Sequence, residues 1–290
     1  MNSDTITDIV ICLILFCMMV IAIYPIWFVL IASFSKPAYI AQGRVTIFPM
    51  GFTLSAYEKL LGNKSIWIGY RNSLFYTFFG TLINMVVTLP CAYALSRPRL
   101  PGRKLFSFIF IFTMYFSGGL IPSYMLITSL HLNNTIWVLL LPGAVGVFNL
   151  IIARSFFESS IPEALLEAAR IDGASYTRFF LTIALPLSKA MIAVLVLFYA
   201  LGHWNSYFSA MIYIQNPKLQ TLQVVIKGIT ASLDASVTET MDSKEMERII
   251  EQKQLLKYSI VVVSIVPMMC LYPFIQRYFI SGIMIGAIKG

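Results

Sequence analysis

The sequence is short of charge. Asp, Glu, Lys and Arg make up 12% of its 290 residues, where a soluble domain carries roughly a quarter, so there are too few polar side chains to cover a globule. None of the four falls between residues 105 and 153 or between 190 and 217. A proton or ion relay through a membrane would lack its usual carriers there. Cysteine is sparse as well: Cys12, Cys17, Cys91 and Cys270 sit inside apolar runs, with no CxxC or His-paired spacing to indicate a disulfide framework or a metal site. The phosphate-cradling pattern GxxxxGK[ST] is missing, so nucleotide chemistry has no seat on this chain. No repeat with a period of about 20–50 residues is visible, which disfavours an inverted-repeat architecture.

What the chain has instead is apolar length. Hydrophobic residues make up 58% and the mean hydropathy is +0.80. They fall in runs of about twenty residues, the length needed to cross a hydrocarbon layer of about 30 Å. The runs predict an all-α integral membrane protein with one transmembrane domain over 1–290 and about six spans, near 9–34, 73–95, 105–129, 135–157, 187–212 and 258–279. The first run exceeds a signal-peptide core of about 7–15 residues and is expected to stay as a span. Gly118-Gly119 and Pro122 predict a bend or break in the third span, and Pro142 and Gly143 lie inside the fourth.

The net charge of +8 is spread between the apolar runs instead of gathered in one stripe, which speaks for orientation in a bilayer and against nucleic acid. Arg97, Arg99, Arg103 and Lys104 crowd a loop that also holds Pro98, Pro101 and Gly102. A short basic loop is expected in the cytoplasm. With six spans, the loop 158–186 and both termini then fall inside, and the segments 36–71 and 215–257 outside. The latter carries Asp234, Glu239, Asp242, Glu245, Glu247 and Glu251. It is expected to form a flap or helix at the outer surface.

The most informative stretch runs from Ile161 to Pro186. Pro162 suits a first helical turn, Glu163 and Glu167 face the positive end of a helix dipole, and Asp172-Gly173 supplies a reversal. Two short amphipathic helices around a glycine turn follow, with Leu166, Ala169 and Arg170 on one face, a small-residue surface on which another protein could pack. Physics alone leaves an amphipathic connector lying on the membrane equally open.

The segment resembles the EAA motif of binding-protein-dependent ABC importer permeases, through Glu167-Ala168-Ala169, Asp172-Gly173-Ala174 and Leu185-Pro186. The likeness runs along nearly the whole chain and is nearest to MalG-like carbohydrate permeases of the LplC/YtcP kind. Gly118 to Pro122, Leu141-Pro142-Gly143-Ala144, Gly202-His203-Trp204-Asn205 and the tail Gly286 to Gly290 carry it. The resemblance implies a type I ABC importer permease fold with a cytoplasmic coupling helix between spans four and five. It implies a bacterial inner-membrane location, a second homologous permease, two cytoplasmic ATPase subunits that hold ATP and Mg, and an extracytoplasmic sugar-binding protein, with membrane lipid around the whole. No cofactor is expected on this chain, and it is not itself an enzyme. On this reading Glu163, Glu167, Ala168, Ala169, Arg170, Asp172, Gly173 and Ala174 form the ATPase-coupling element. Glu167 docks, the alanines allow close approach and Gly173 holds the turn.

Sugars are met by aromatic faces and by amides or hydroxyls, which makes Asn149, His203, Trp204, Asn205 and Tyr207 candidates for a carbohydrate path. The plainer reading makes Trp204 and Tyr207 packing or interface residues and His203 a helix contact. An ion-coupled secondary transporter lacks charged carriers, and a membrane scaffold leaves the hairpin unexplained.

Overall fold

The computed structural model describes residues 3–235 and 255–270, with positions 250, 253 and 273. Every regular element among them is helical: α1 Ser3–Ser33, α2 Pro37–Ala41, α3 Ser55–Gly62, α4 Lys64–Ser96, α5 Arg103–Tyr115, α6 Leu120–Ser129, α7 Trp137–Leu140, α8 Val147–Ser160, α9 Glu163–Ile171, α10 Tyr176–Phe179, α11 Leu185–Leu187, α12 Lys189–Trp204, α13 Phe208–Tyr213 and α14 Leu222–Ala235, and α15 Leu255–Cys270. A π-helical turn, Phe180–Ala184, joins α10 to α11. The described residues form two compact units, one drawn from 1–67 and 225–267 and the other from 68–224 and 268–290.

In the first unit, α1 offers a span of 27 residues, Thr7–Ser33, with a mean hydropathy of 3.0 and none of its most apolar window buried within the protein. Surface of that kind is stable only against lipid or another chain. Its C-terminal end is the part that packs. The Ser33 hydroxyl lies 2.7 Å from the Tyr57 hydroxyl of α3, and Ser259 of α15 donates to the Ser33 carbonyl at 3.3 Å. Phe28 meets Tyr258 edge-on with ring centroids 5.9 Å apart.

The second unit is built on α4, which is long and apolar enough to cross a membrane on its own. One core joins α4 to α8, α9 and α12 through Leu89, Tyr93, Phe157, Leu166, Phe179 and Leu195. A second core gathers Tyr76, Ile127, Val138, Leu139, Ala210 and Tyr213. Polar staples fix the segment after α13: Asn72 donates to the Lys218 and Gln220 carbonyls at 2.8 and 2.9 Å, and Tyr76 to the Leu219 carbonyl at 2.8 Å.

Two further candidate spans are bent pairs of helices. α5 and α6 meet at 113° across Phe116–Gly119, where Gly119 takes a φ of +84°, as the glycine pair predicts. Tyr176–Leu187 and α12 meet at 83° around Ser188, so the helix expected to begin near residue 187 starts after a sharp corner. Counting each pair once, the described residues hold four helical segments apolar and long enough to span. The fourth expected span, 135–157, is interrupted: α7 stops at Leu140 and α8 starts at Val147. Pro142 cannot donate a backbone hydrogen bond, and Gly143 adopts a φ of +77°. α8 alone, with 14 residues, is about 21 Å long. The sixth expected span is represented by α15, and its end beyond residue 273 and the tail Gly286 to Gly290 lie outside the described residues. Most of the acidic run from Asp234 to Glu251 does too. The described part of 215–257 includes the helix α14, whose stretch Leu222–Ser232 is apolar, ahead of the acidic run that the sequence emphasises.

Candidate functional site: a coupling hairpin and an uncharged cavity

The helix α9 coincides with the segment marked out by Pro162 and Asp172. Its end is a left-handed glycine cap: Gly173 has a φ of +80°, its N–H donates to the Arg170 carbonyl at 3.0 Å, and the Ala174 N–H reaches back to the Ala169 carbonyl at 2.9 Å. Those two bonds satisfy carbonyls that a helix end leaves open. Ser175 then caps α10, its hydroxyl accepting from the Arg178 N–H at 3.2 Å.

One face of α9 is spent on the chain's own core. Leu166 and Ala169 are buried there, and Ala174 packs beside them. Ala169 therefore offers no surface for a partner, because its three-residue spacing from Leu166 turns both inward. Arg170, expected on that same face, is exposed and stacks on Tyr176 at 5.1 Å from the ring centroid. The outward strip consists of Ala164, Ala168 and Ile171 beside Glu167, with Ile171 88% exposed. It is the most exposed of the large apolar side chains among the described residues.

The basic loop locks this hairpin in place. Arg97 is buried and donates to the Phe157 carbonyl at 2.9 Å and to the Ile161 carbonyl at 3.2 and 3.3 Å. It thus closes the C-terminal turn of α8, where a cation is favoured. The same guanidinium lies 4.9 Å from the Tyr93 ring centroid and 3.5 Å from the Glu163 carboxylate. Arg99 spans Glu163 at 3.6 Å and Glu167 at 2.5 Å. Arg103 and Arg154 both pair with Glu158. The two ends of α9's acidic stripe are thereby tied to the end of α4.

A cavity of 480 Å³ opens beside the interrupted helix. Its polar wall includes Asn84, Ser123, Asn149, His203, Ser206 and Ser209, with Ile127, Val138 and Phe198 as apolar surface, and no charged residue among the lining groups. Asn84, 1% exposed, is the organising side chain. Its amide donates to the Gly143 and Ala144 carbonyls at 3.0 and 2.9 Å, replacing bonds that the break between α7 and α8 removes. Its oxygen faces His203 Nε2 at 2.7 Å. With its amide hydrogens directed at the two carbonyls, the Asn84 oxygen is the acceptor presented to the ring. Tyr199 completes the repair: its hydroxyl accepts from the Gly146 N–H at 3.1 Å and meets the Thr88 hydroxyl at 2.7 Å.

Of the five candidate path residues, Asn149 and His203 line this cavity. Trp204 is buried, its ring 6.2 Å from that of Tyr70; Asn205 ends α12, and Tyr207 donates to the Met211 sulfur at 2.9 Å. Sequence reasoning passed over Asn84, although an amide in the middle of an apolar run is itself a signal, since in lipid it must find partners.

An interrupted helix braced by Asn84 and Tyr199 beside an uncharged cavity, together with a clamped hairpin bearing an exposed face, fits a transport component. The chain belongs to the family of binding-protein-dependent transport system inner membrane components, whose model matches residues 65–285. It is 39% identical over 270 residues to Protein LplC of Bacillus subtilis (strain 168), covering 93% of this chain and 90% of that one. It is 35% identical to the polygalacturonan/rhamnogalacturonan transport system permease protein YtcP of the same organism, covering 93% of each. Among solved structures it is similar to a chain of a bacterial ABC transporter involved in the import of the acidic polysaccharide alginate, with 34% identity, a TM-score of 0.83, and coverage of 96% of this chain and 98% of that one. The fold is that of a type I importer permease, all-α and membrane-embedded.

Proposed function

We propose that this chain is the permease subunit of an ATP-driven carbohydrate importer, carrying an oligosaccharide along a path shared with a second, homologous permease. The observation that carries the reading is the α9 hairpin: its outward strip is unpartnered while its inward face and carboxylates are fixed to α4 and α8. Such an element can hand a rigid-body movement from a docked ATPase to the helices behind it. ATP and Mg belong to two cytoplasmic ATPase subunits, because the chain has no phosphate-binding loop. An extracytoplasmic sugar-binding protein delivers the substrate to the outer face. The chain is one domain of six spans, with both termini and α9 in the cytoplasm and the 215–257 segment outside.

Within that scheme Glu167 and Ala168 make the contact that couples, Glu163 and Arg170 support it, and Asp172, Gly173 and Ala174 shape the turn. The cavity of 480 Å³ lies within the roughly 300–1,000 Å³ usual for small-ligand sites. Its amides, hydroxyls and aromatic rings suit the hydroxyls and C–H faces of a sugar. Trp204, Asn205 and Tyr207 flank the path without lining the cavity. An ion-coupled carrier would need charge in that wall, which has none.

The test is a reconstituted complex of both permeases and the ATPases. ATPase activity stimulated by binding protein plus sugar, and lost together with uptake in Glu167→Lys, is expected. Uptake driven by an ion gradient without ATP would replace this reading.

A further inference from the structure

The groove between α5 and α8 carries more positive charge than the described residues neutralise. Arg103, Lys104 and Arg154 line a cavity of 700 Å³ that continues along Phe108 and Ile111. Arg103 and Arg154 share a single carboxylate, Glu158, so three cations against one anion leave the groove at +2. The nearby pairs bring no relief: Arg97 and Arg99 are matched by Glu163 and Glu167. Lys104 is exposed and has no ion-pair partner among the described residues.

The apolar part of the groove has a direction. Lys104, Phe108 and Ile111 follow one another at spacings of four and three and so share a face of α5. At the rise of an α-helix, Phe108 and Ile111 lie about 6 and about 10 Å along the axis from the cation. None of the residues of α5 is buried within the protein. A charged first turn followed by an apolar strip on a membrane-embedded helix matches an amphiphile with an anionic head, and basic pockets between helices at the membrane boundary take such heads.

We infer that this groove is a binding site for an anionic phospholipid, with its phosphate against Lys104, Arg154 and Arg103 and an acyl chain along Phe108 and Ile111. Arg154 is held for that role, its Nη1 donating to the Ser107 hydroxyl at 2.9 Å and its Nε to Glu158 at 3.0 Å. The site is separate from the sugar cavity and independent of what the importer carries. A bound lipid would brace the root of α5 against α8, whose C-terminal turn Arg97 closes.

The experiment uses the complete importer, delipidated in detergent and titrated with phosphatidylglycerol, with phosphatidylcholine, and with inorganic phosphate, lipid occupancy being read by native mass spectrometry. Phosphatidylglycerol should bind in preference to phosphatidylcholine, and Lys104→Gln should weaken it about fivefold, the effect of one cation near an anionic headgroup. Because Lys104 is exposed and has no ion pair among the described residues, its loss should leave the thermal midpoint of the complex unchanged; Arg154→Gln, which leaves Glu158 paired with Arg103 alone, serves as the second variant and should weaken binding further. A photoreactive residue at Phe108 should capture lipid. Equal binding of the two lipids, unaltered binding by Lys104→Gln, displacement by inorganic phosphate alone, or capture of a polypeptide at Phe108 would each overturn the assignment, the last giving the groove to a protein neighbour.

Discussion

Replacing Arg97 by Met removes a buried guanidinium while keeping much of its apolar stem. Two main-chain carbonyls, those of Phe157 and Ile161, lose their side-chain donor, the Tyr93 ring loses its cation, and Glu163 loses a neighbour at 3.5 Å. Breaking a buried charged pair costs about 3–5 kcal/mol. The lower end applies, because Glu163 keeps Arg99 at 3.6 Å and its side chain is 28% exposed. About 3 kcal/mol is enough to loosen the hairpin without unfolding the spans, which are held by lipid and by the two cores. The assay is the ratio of sugar imported to ATP hydrolysed in proteoliposomes, alongside the thermal midpoint of the purified complex. Arg97→Met should lower both, and Arg97→Lys, which restores charge but not the forked geometry, should recover the midpoint only in part. A wild-type coupling ratio in Arg97→Met would refute the idea that this residue ties α9 to α4.

Gly173→Val should impair ATPase retention through backbone strain of about 1–2 kcal/mol at positive φ, since a Cβ there meets nothing within 4 Å; Gly173→Asn, which tolerates that conformation, should behave nearly as wild type, and equal damage by both would point to a contact instead. Asn84→Leu leaves the Gly143 and Ala144 carbonyls and His203 without their partner and should cost at least about 2 kcal/mol, seen as a lower thermal midpoint and reduced uptake. Gly80→Ala should be similarly harmful, because the added Cβ would stand 2.4 Å from the His203 ring; unchanged uptake would mean that the ring moves freely. In a background lacking the native cysteines, Gln215→Cys should react with an impermeant thiol reagent on whole cells and Asp172→Cys only after permeabilisation, and the reverse pattern would invert the orientation.

The hairpin was legible because its signals are local. Pro162 at the start and Asp172-Gly173 at the end act through the backbone of their own residues, and α9 has the bounds they imply. The break at Gly118-Gly119 was visible for the same reason. Pro142 and Gly143 gave an equally local signal, yet whether they kink a span or interrupt it depends on a partner for the freed carbonyls, and that partner, Asn84, is about sixty residues away in the chain. The inward turn of Ala169 was also hidden, since periodicity defines two faces of α9 and only the core cluster decides which is buried. The corner at Ser188 has no proline at the bend itself; Pro186 lies two residues before it, and the π-helical turn Phe180–Ala184 sits inside the helix that precedes the corner. The clamp from Arg97 was read as orientation charge; its carbonyl contacts could not be inferred from spacing.

The central claim is that the outward strip of α9 is an ATPase contact. Ile171, 88% exposed, is the position that reports on it most directly. A photoreactive residue placed there in the assembled importer should form a covalent product with an ATPase subunit on illumination. Capture of lipid alone, in a complex that still transports sugar, would contradict the account and return the hairpin to a connector on the membrane surface.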